Sequence, residues 1–464
     1  MTSGALARTT RLVVGAVAAL AVAAAATALV VVELPHRGGS TVSVQAQPPA
    51  TASVASCTGP LLAAGRDATQ ATLLTDAAAS ALTRAVDGAD ATVRRLAAPD
   101  VSGGAGPDVV SAPAAGDTRT PLAAASSATA AAEDLSGFAA AACTRAAMES
   151  WLVVGSGTTG AADLVVLANP GLVPAVVTLT LYGSAGETAP PAGQSIVVAA
   201  GTQRVIPLAA LALGEENPII RVTAAQAPVQ ASVQTSLTRV LDPSGVDQVA
   251  AIGAPGADIV IPGVPVTLAP GDPGASDVPT SLRLLAPAQT GEATVTVTDS
   301  SGRVGDPQSV QVLAGIPLQL DLAGLPVGTY DVRISATVPV TGAVWATTGF
   351  DKGDDFGWFT PAPDLTAPTL VAIAEGPAPQ LTLISTRGGR SVTLEPLGGG
   401  TPQQVTLGPD LPTTVPVTAG ESYRIVPDAG GVHAGVSFRG AGALAGYPVP
   451  AGDAEASAVT VYPR

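Results

Sequence analysis

The chain is poor in the residues that most binding and catalytic chemistry uses. Its 464 positions hold one lysine (Lys352), two histidines, two cysteines, 3% aromatic and 12% charged residues. Two isolated histidines, His36 and His433, rule out a His-rich metal site, and neither has a motif neighbour. P-loop, H-E-x-x-H and G-x-S-x-G patterns are missing, as is G-x-G-x-x-G after a strand. Gly435-Val436-Ser437-Phe438-Arg439 comes nearest to a nucleophile elbow, but arginine stands at its last glycine position. A net charge of −15 repels phosphate backbones and argues against a nucleic-acid partner. No catalytic residue, metal or cofactor is expected, so the chain reads as a non-enzyme.

What is abundant is small, apolar and turn-forming. Hydrophobic residues make up 47%, beside 52 Gly and 41 Pro, a balance that favours short strands with tight connections over helices. The length alone suggests about three or four domains.

One long apolar run breaks this texture. Residues 12–32 carry no charge, Arg8 and Arg11 precede them, and Glu33 follows. Such a run spans the hydrocarbon of a bilayer, and the arginines place residues 1–11 in the cytoplasm. Val44-Gln45-Ala46 resembles a signal-peptidase site but lies too far beyond Val32, so an uncleaved signal-anchor is expected. The membrane is thus a partner, and the remainder is expected outside the cell. Residues 33–56 read as a flexible, polar tether.

Beyond the tether the chain repeats itself. VTLTLYGSAGE from Val177, VTVTDSSGR from Val295 and SVTLEPLGGG from Ser391 open matching stretches. Each continues through a second and a third alternating run, and is led by an apolar strand: LVVLANPG, SLRLLAP, or LVAIAEGP from Leu370. Alternation over five to eight residues, broken at Gly, Pro or Asp, is the pattern of half-buried strands. Asp299-Ser300-Ser301-Gly302 has hairpin-turn chemistry. The fold class expected is all-β, an N-terminal transmembrane helix followed by tandem immunoglobulin-like β-sandwich repeats. The boundaries are 57–150 for a degenerate first repeat, then 151–262, 263–362 and 363–464, each burying its own core. The first repeat rests on aligning SGFAAAACTRAAMESWLVVG from Ser136 with TGAVWATTGFDKGDDFGWFTPA from Thr341, which matches Gly137 to Gly342 and Trp151 to Trp358. Within it, residues 72–86 are read as strand rather than helix.

Cys57 and Cys143 fall at the start and on the last strand of the first repeat, and outside the cell two cysteines in one domain most simply form a disulfide. The densest polar and aromatic cluster runs from Asp351 to Phe359. There Asp351, Asp354, Asp355, Phe356 and Trp358 are candidate ligand contacts, the rings for stacking on sugars and the carboxylates for sugar hydroxyls or Ca²⁺. The competing reading places this segment, like Trp151, in a connector between repeats.

Cys57, Cys143, Trp151, Asn169-Pro170-Gly171, Asp247 and Asp355 through Trp358 form a combination that resembles a group of anchored, secreted actinobacterial proteins known as a domain of unknown function. The chain departs from it at Cys57-Thr58-Gly59-Pro60, where members have C-P-G-P. The resemblance implies residence in the cell envelope and supplies no catalytic residues. The function expected is a structural or protein-interaction module displayed outside the membrane. A binding module for envelope polysaccharide is the alternative, and an envelope enzyme the third reading.

Overall fold

The computed structural model describes residues 3–31, 43–46, 49–66, 69, 72–88, 90–269, 277–322, 324–452 and 459–462. Strands dominate it. Helix α1 covers Ser3–Val31, with exposed side chains at 12–25 and 27. Among the described residues no helix is long and apolar enough to cross a membrane. Val32, His36 and the tether to residue 42 lie outside the described residues. The chain divides into two compact parts: α1 and a ribbon pairing Val44–Ala46 with Val459–Val461 belong to one, Pro49–Glu455 to the other.

The larger part holds four similar sets of strands. The first contributes β1 (Ser53–Ser56), β2 (Ala81–Val86), β3 (Thr92–Ala97), β4 (Ala105–Ala112), β5 (Leu122–Ala131) and β6 (Ser136–Ala142). The second has β7 (Glu149–Leu152), β8 (Leu164–Asn169), β9 (Ala175–Gly183), β10 (Thr202–Pro207), β11 (Ile219–Ala225), β12 (Gln230–Arg239) and β13 (Asp242–Ala250). In the third are β14 (Gly256–Val266), β15 (Thr280–Leu285), β16 (Gly291–Asp299), β17 (Leu318–Asp321), β18 (Gly328–Thr347) and β19 (Phe356–Phe359). The fourth adds β20 (Thr369–Ala372), β21 (Gln380–Ser385), β22 (Arg390–Pro396), β23 (Thr413–Pro416), β24 (Ser422–Pro427), β25 (Val432–Gly440) and β26 (Ala443–Pro448).

Each set pairs in the same way. An opening strand (β1, β7, β14, β20) and a later one (β3, β9, β16, β22) flank a common partner: β4, β11, the first half of β18, or β24. A lead strand (β2, β8, β15, β21) pairs with a return strand: β5, β12, the second half of β18, or β25. That return strand then pairs with a closing strand: β6, β13, β19 or β26. Residues 72–86 are extended, as Leu74–Ala78 and β2.

Several expectations change here. The first set begins at β1, inside the expected tether, because Ser53, Ala55 and Ser56 are buried where β1 pairs with β4. The lead strand of the fourth set is β21, not the run at Leu370, which lies on β20 and pairs with β24. Trp151 sits on opening strand β7 and Trp358 on closing strand β19, so these two tryptophans are not counterparts. Gly137 on β6 likewise corresponds to β19 rather than to Gly342 on β18. Short apolar runs look alike in sequence, and only their pairing partners tell them apart.

The sets do not bury separate cores. A parallel bridge between Thr202 and Ala97 fuses strands of the first two sets into one sheet of seven. Ala125, Phe138 and Ala140 of the first set share a core with Leu381, Val436 and Phe438 of the fourth, with Phe138 and Phe438 rings 5.5 Å apart. The closing strands pack in a cycle, β6 on β13, β13 on β19, β19 on β26, and β26 back on β6. Buried alanines 139–142 on β6 explain how two neighbouring strands approach so closely, since small side chains keep the backbones near one another. The result is a closed ring in which the first and last sets touch.

Candidate functional site

At the centre of this ring stands one carboxylate. Asp355, immediately before β19, is fully buried. Its Oδ2 accepts the backbone N–H of Phe138 on β6 at 2.9 Å and of Leu444 on β26 at 3.0 Å. Oδ1 accepts the N–H of Val246 on β13 at 3.1 Å. One side chain of the third set thereby satisfies a backbone donor from each of the other three.

The residues before those donors are Gly137, Gly245 and Ala443, all small. Gly137 has φ +137° and Gly245 φ +117°, backbone states that side chains disfavour. A Cβ on Gly137 would lie 2.5 Å from Asp355 Oδ1, and one on Gly245 2.8 Å from the same atom. There is room for one carboxylate at the centre and no more. Burial pushes Asp355 up to about 7, against the pull of the N–H bonds it accepts.

A second buried carboxylate anchors β19 from β13. Asp247 Oδ2 accepts the Trp358 N–H at 2.8 Å, while Oδ1 accepts the Gln248 N–H at 2.8 Å. Burial, reinforced by the nearby Asp355, holds its pKa well above the usual carboxylate range. Two more follow the same rule. Asp163 accepts the N–H groups of Ser156 and Ser236 at 2.7 and 2.8 Å, Asp331 that of Gly263 at 2.7 Å, and burial raises each to about 7.

Arg283 joins the second set to the third. Its Nη1 donates to the Gly155 carbonyl at 2.7 Å and the Pro218 carbonyl at 3.2 Å, and Nη2 to Asn217 Oδ1 at 3.0 Å. The guanidinium lies 4.7 Å from the centroid of the Trp358 ring. Burial lowers its pKa to about 9, which leaves it charged at neutral pH.

The candidate contacts named from the sequence therefore part company. Asp351 stays exposed in the turn, and Asp354 accepts the Asp351 N–H at 2.8 Å and the Thr348 hydroxyl at 3.1 Å. Asp355, Phe356 and Trp358 turn inward and are buried. Among the described residues no three His, Cys, Asp or Glu side chains gather to hold a metal ion. Cys57 and Cys143 form a disulfide beside backbone bonds of 2.8 and 2.9 Å between Ser56 and Thr144. Asn169 closes its own turn, its amide donating to the carbonyls of Val173 and Val198. His433 places Nδ1 2.9 Å from the Ala362 carbonyl, so that nitrogen carries the proton. Arg283, Asp163 and Asp331 are not singled out by the sequence. Arg283 and Asp163 are each a lone charge in or beside a run of apolar strand residues, the signal that marks a buried ion with a fixed partner, whereas Asp331 has Arg333 two residues on.

Several cavities open among the described residues. One, of about 610 Å³, is walled by Ala142, Ile259 and Val340 and rimmed by Arg333, Arg387 and His433. Another, of about 320 Å³, lies between the second and third sets against Trp345, Phe350 and Trp358.

No curated protein matches the chain in sequence. Residues 97–419 match the profile of a family of unknown function, DUF5719, a span that includes Cys143, Asp163, Asp247, Arg283, Asp355 and Trp358. With most of its length inside that match, the chain belongs to the DUF5719 family.

Proposed function

We propose that this protein is a non-enzymatic structural or protein-interaction module of the cell envelope, held at the membrane by its N-terminal helix and displayed outside. The observation that carries this reading is the Asp355 junction. The buried carboxylates Asp355 and Asp247 bind backbone N–H groups and so serve to tie the strand sets together. A ring closed this way offers outer faces for docking while its centre stays fixed. The Cys57–Cys143 disulfide supports an oxidising location, and Arg8 and Arg11 before the apolar run support a cytoplasmic N-terminus. The common pairing of opening, lead, return and closing strands supports reading the sets as variants of an immunoglobulin-like sandwich.

The test is made in intact cells. The full chain should sediment with membranes, be cut by protease added outside, and carry no free thiol. A chain lacking residues 3–31 should leave the membrane fraction. In-cell crosslinking and mass spectrometry should join the full chain reproducibly to other envelope proteins. A cytosolic chain with free Cys57 and Cys143 overturns the proposal.

A further inference from the structure

The cavity between the second and third sets gathers side chains that this sequence otherwise lacks. Of three Trp and five Phe in the chain, Trp345, Trp358, Phe350 and Phe356 all line it. Trp345 and Phe350 are half-buried, with ring centroids 6.4 Å apart, and Trp345 also lies 6.1 Å from Phe356. Trp345 faces Trp358 across the β18–β19 ladder. The guanidinium of Arg239 covers Phe350 at 4.9 Å and pairs with Asp277 at 2.8 Å, which fixes both beside the opening. Planar polar side chains complete the wall, namely Gln319, Asn217 and Asp277. Two buried polar atoms of lining residues, Arg283 Nε and Thr235 Oγ1, have no partner among the described residues.

We propose that this pocket binds a neutral pyranose ring, stacked on Trp345. A pyranose has a face of C–H bonds and an edge of hydroxyls. The C–H face carries slight positive charge and packs on the negative face of an indole. The hydroxyl edge both donates and accepts, and planar amides and carboxylates bridge adjacent hydroxyls with paired hydrogen bonds. The size agrees: about 320 Å³ sits at the small end of ligand pockets, about 300–1,000 Å³, which suits one ring. Charge selects among sugars. Arg283 is offset by Asp163 and Glu216 in the lining, and Arg239 pairs with Asp277, so on a chain of −15 no net positive charge is left to draw a uronate. Trp358 itself, 6% exposed and covered by Arg283, lies beside Trp345 across the ladder.

Sugar binding goes beyond the envelope role and is read on the purified full chain, so the two fail separately. Maltotetraose, cellotetraose and chitotetraose are titrated by calorimetry and tryptophan fluorescence, with a galacturonate tetramer as the charged comparison. At least one neutral tetramer should bind, and the galacturonate tetramer should bind at least about tenfold more weakly. Trp345→Ala should lower affinity about tenfold or more, and Trp345→Phe should stay within about threefold of the natural chain. Gln319→Ala, at an exposed position, should weaken binding with an unchanged melting temperature, which separates contact loss from misfolding. The proposal falls if no neutral tetramer binds at about 10 mM. It also falls if the galacturonate tetramer binds best, or if Gln319→Ala and a folded Trp345→Ala bind like the natural chain.

Discussion

Phe138 donates its backbone N–H to Asp355 Oδ2 at 2.9 Å across a sequence distance of 217 residues. Together with the bonds from Val246 and Leu444, this contact makes the body from Pro49 to Glu455 a ring rather than a string of beads. Removing the carboxylate strands three buried donors, each costing about 1–3 kcal/mol. Asp355→Ala should therefore destabilise the chain by about 3–5 kcal/mol, read as a lower denaturant midpoint. Asp355→Asn keeps an acceptor oxygen and should recover part of that loss. Equal midpoints for the natural chain and Asp355→Ala would show that the junction contributes nothing.

The glycines beside that carboxylate make a second prediction. A methyl group at Gly137 or Gly245 meets Asp355 Oδ1 at 2.5 or 2.8 Å, and both positions have positive φ. Gly137→Ala and Gly245→Ala should each cost about 2–4 kcal/mol, through strain and displacement of Asp355 together. Gly186→Ala is the comparison, since it also has positive φ but open space around it, and should cost about 1 kcal/mol. Similar losses at all three sites would refute the steric argument.

Acidity should stabilise the fold. Asp163, Asp331 and Asp355 are raised to about 7 by burial, above the ordinary value of about 3.9 in an unfolded chain. Between those values the folded state holds protons that the unfolded state has released. Stability from these groups is complete below about pH 3.9 and is lost as pH rises through about 7. Asp134 and Asp299 act oppositely, held below the usual range by Arg66 and Ser301, and their contribution fades only as pH falls further. The melting temperature should thus rise as pH is lowered from about 8 to about 5, and Asp355→Asn should flatten that rise. A flat profile for the natural chain would contradict the raised values.

Reduction tests the first set. The Cys57–Cys143 bridge closes a span of 86 residues, for which loop closure allows at most about 4–5 kcal/mol. Cys57→Ser with Cys143→Ser should lower stability within that limit. Hydrogen exchange should quicken mainly in β1 and β6, which the bridge joins. Non-reducing peptide mapping that found both thiols free in exported protein would remove the basis for this expectation.

Much of the strand content was legible because alternation has a physical cause. On β16 Ala293 and Val295 are buried with Thr294 half-buried between them, as Val392 and Leu394 are on β22 about Thr393, and the turn residues that follow cannot continue a ladder. The Cys57–Cys143 pairing was legible too, since the chain has two cysteines and one bond to make. Strand partners were another matter. The runs at Leu370 and Leu381 both read as strands, yet one pairs with β24 and the other with β23 and β25. Asp355 read as one of three similar aspartates in a turn, because no local property separates it from Asp351 and Asp354.

Local chemistry was enough to specify strands, turns and the crosslink, since propensity, period and redox chemistry act within a few residues or between two unique groups. The ring centre needed more. Asp355 is buried because Phe138, Val246 and Leu444, far apart along the chain, bring N–H groups to one point where Gly137 and Gly245 leave room for a single carboxylate. A hydrogen-bonding centre shared by four strand sets exists only once all four have closed, so no window of the sequence contains it.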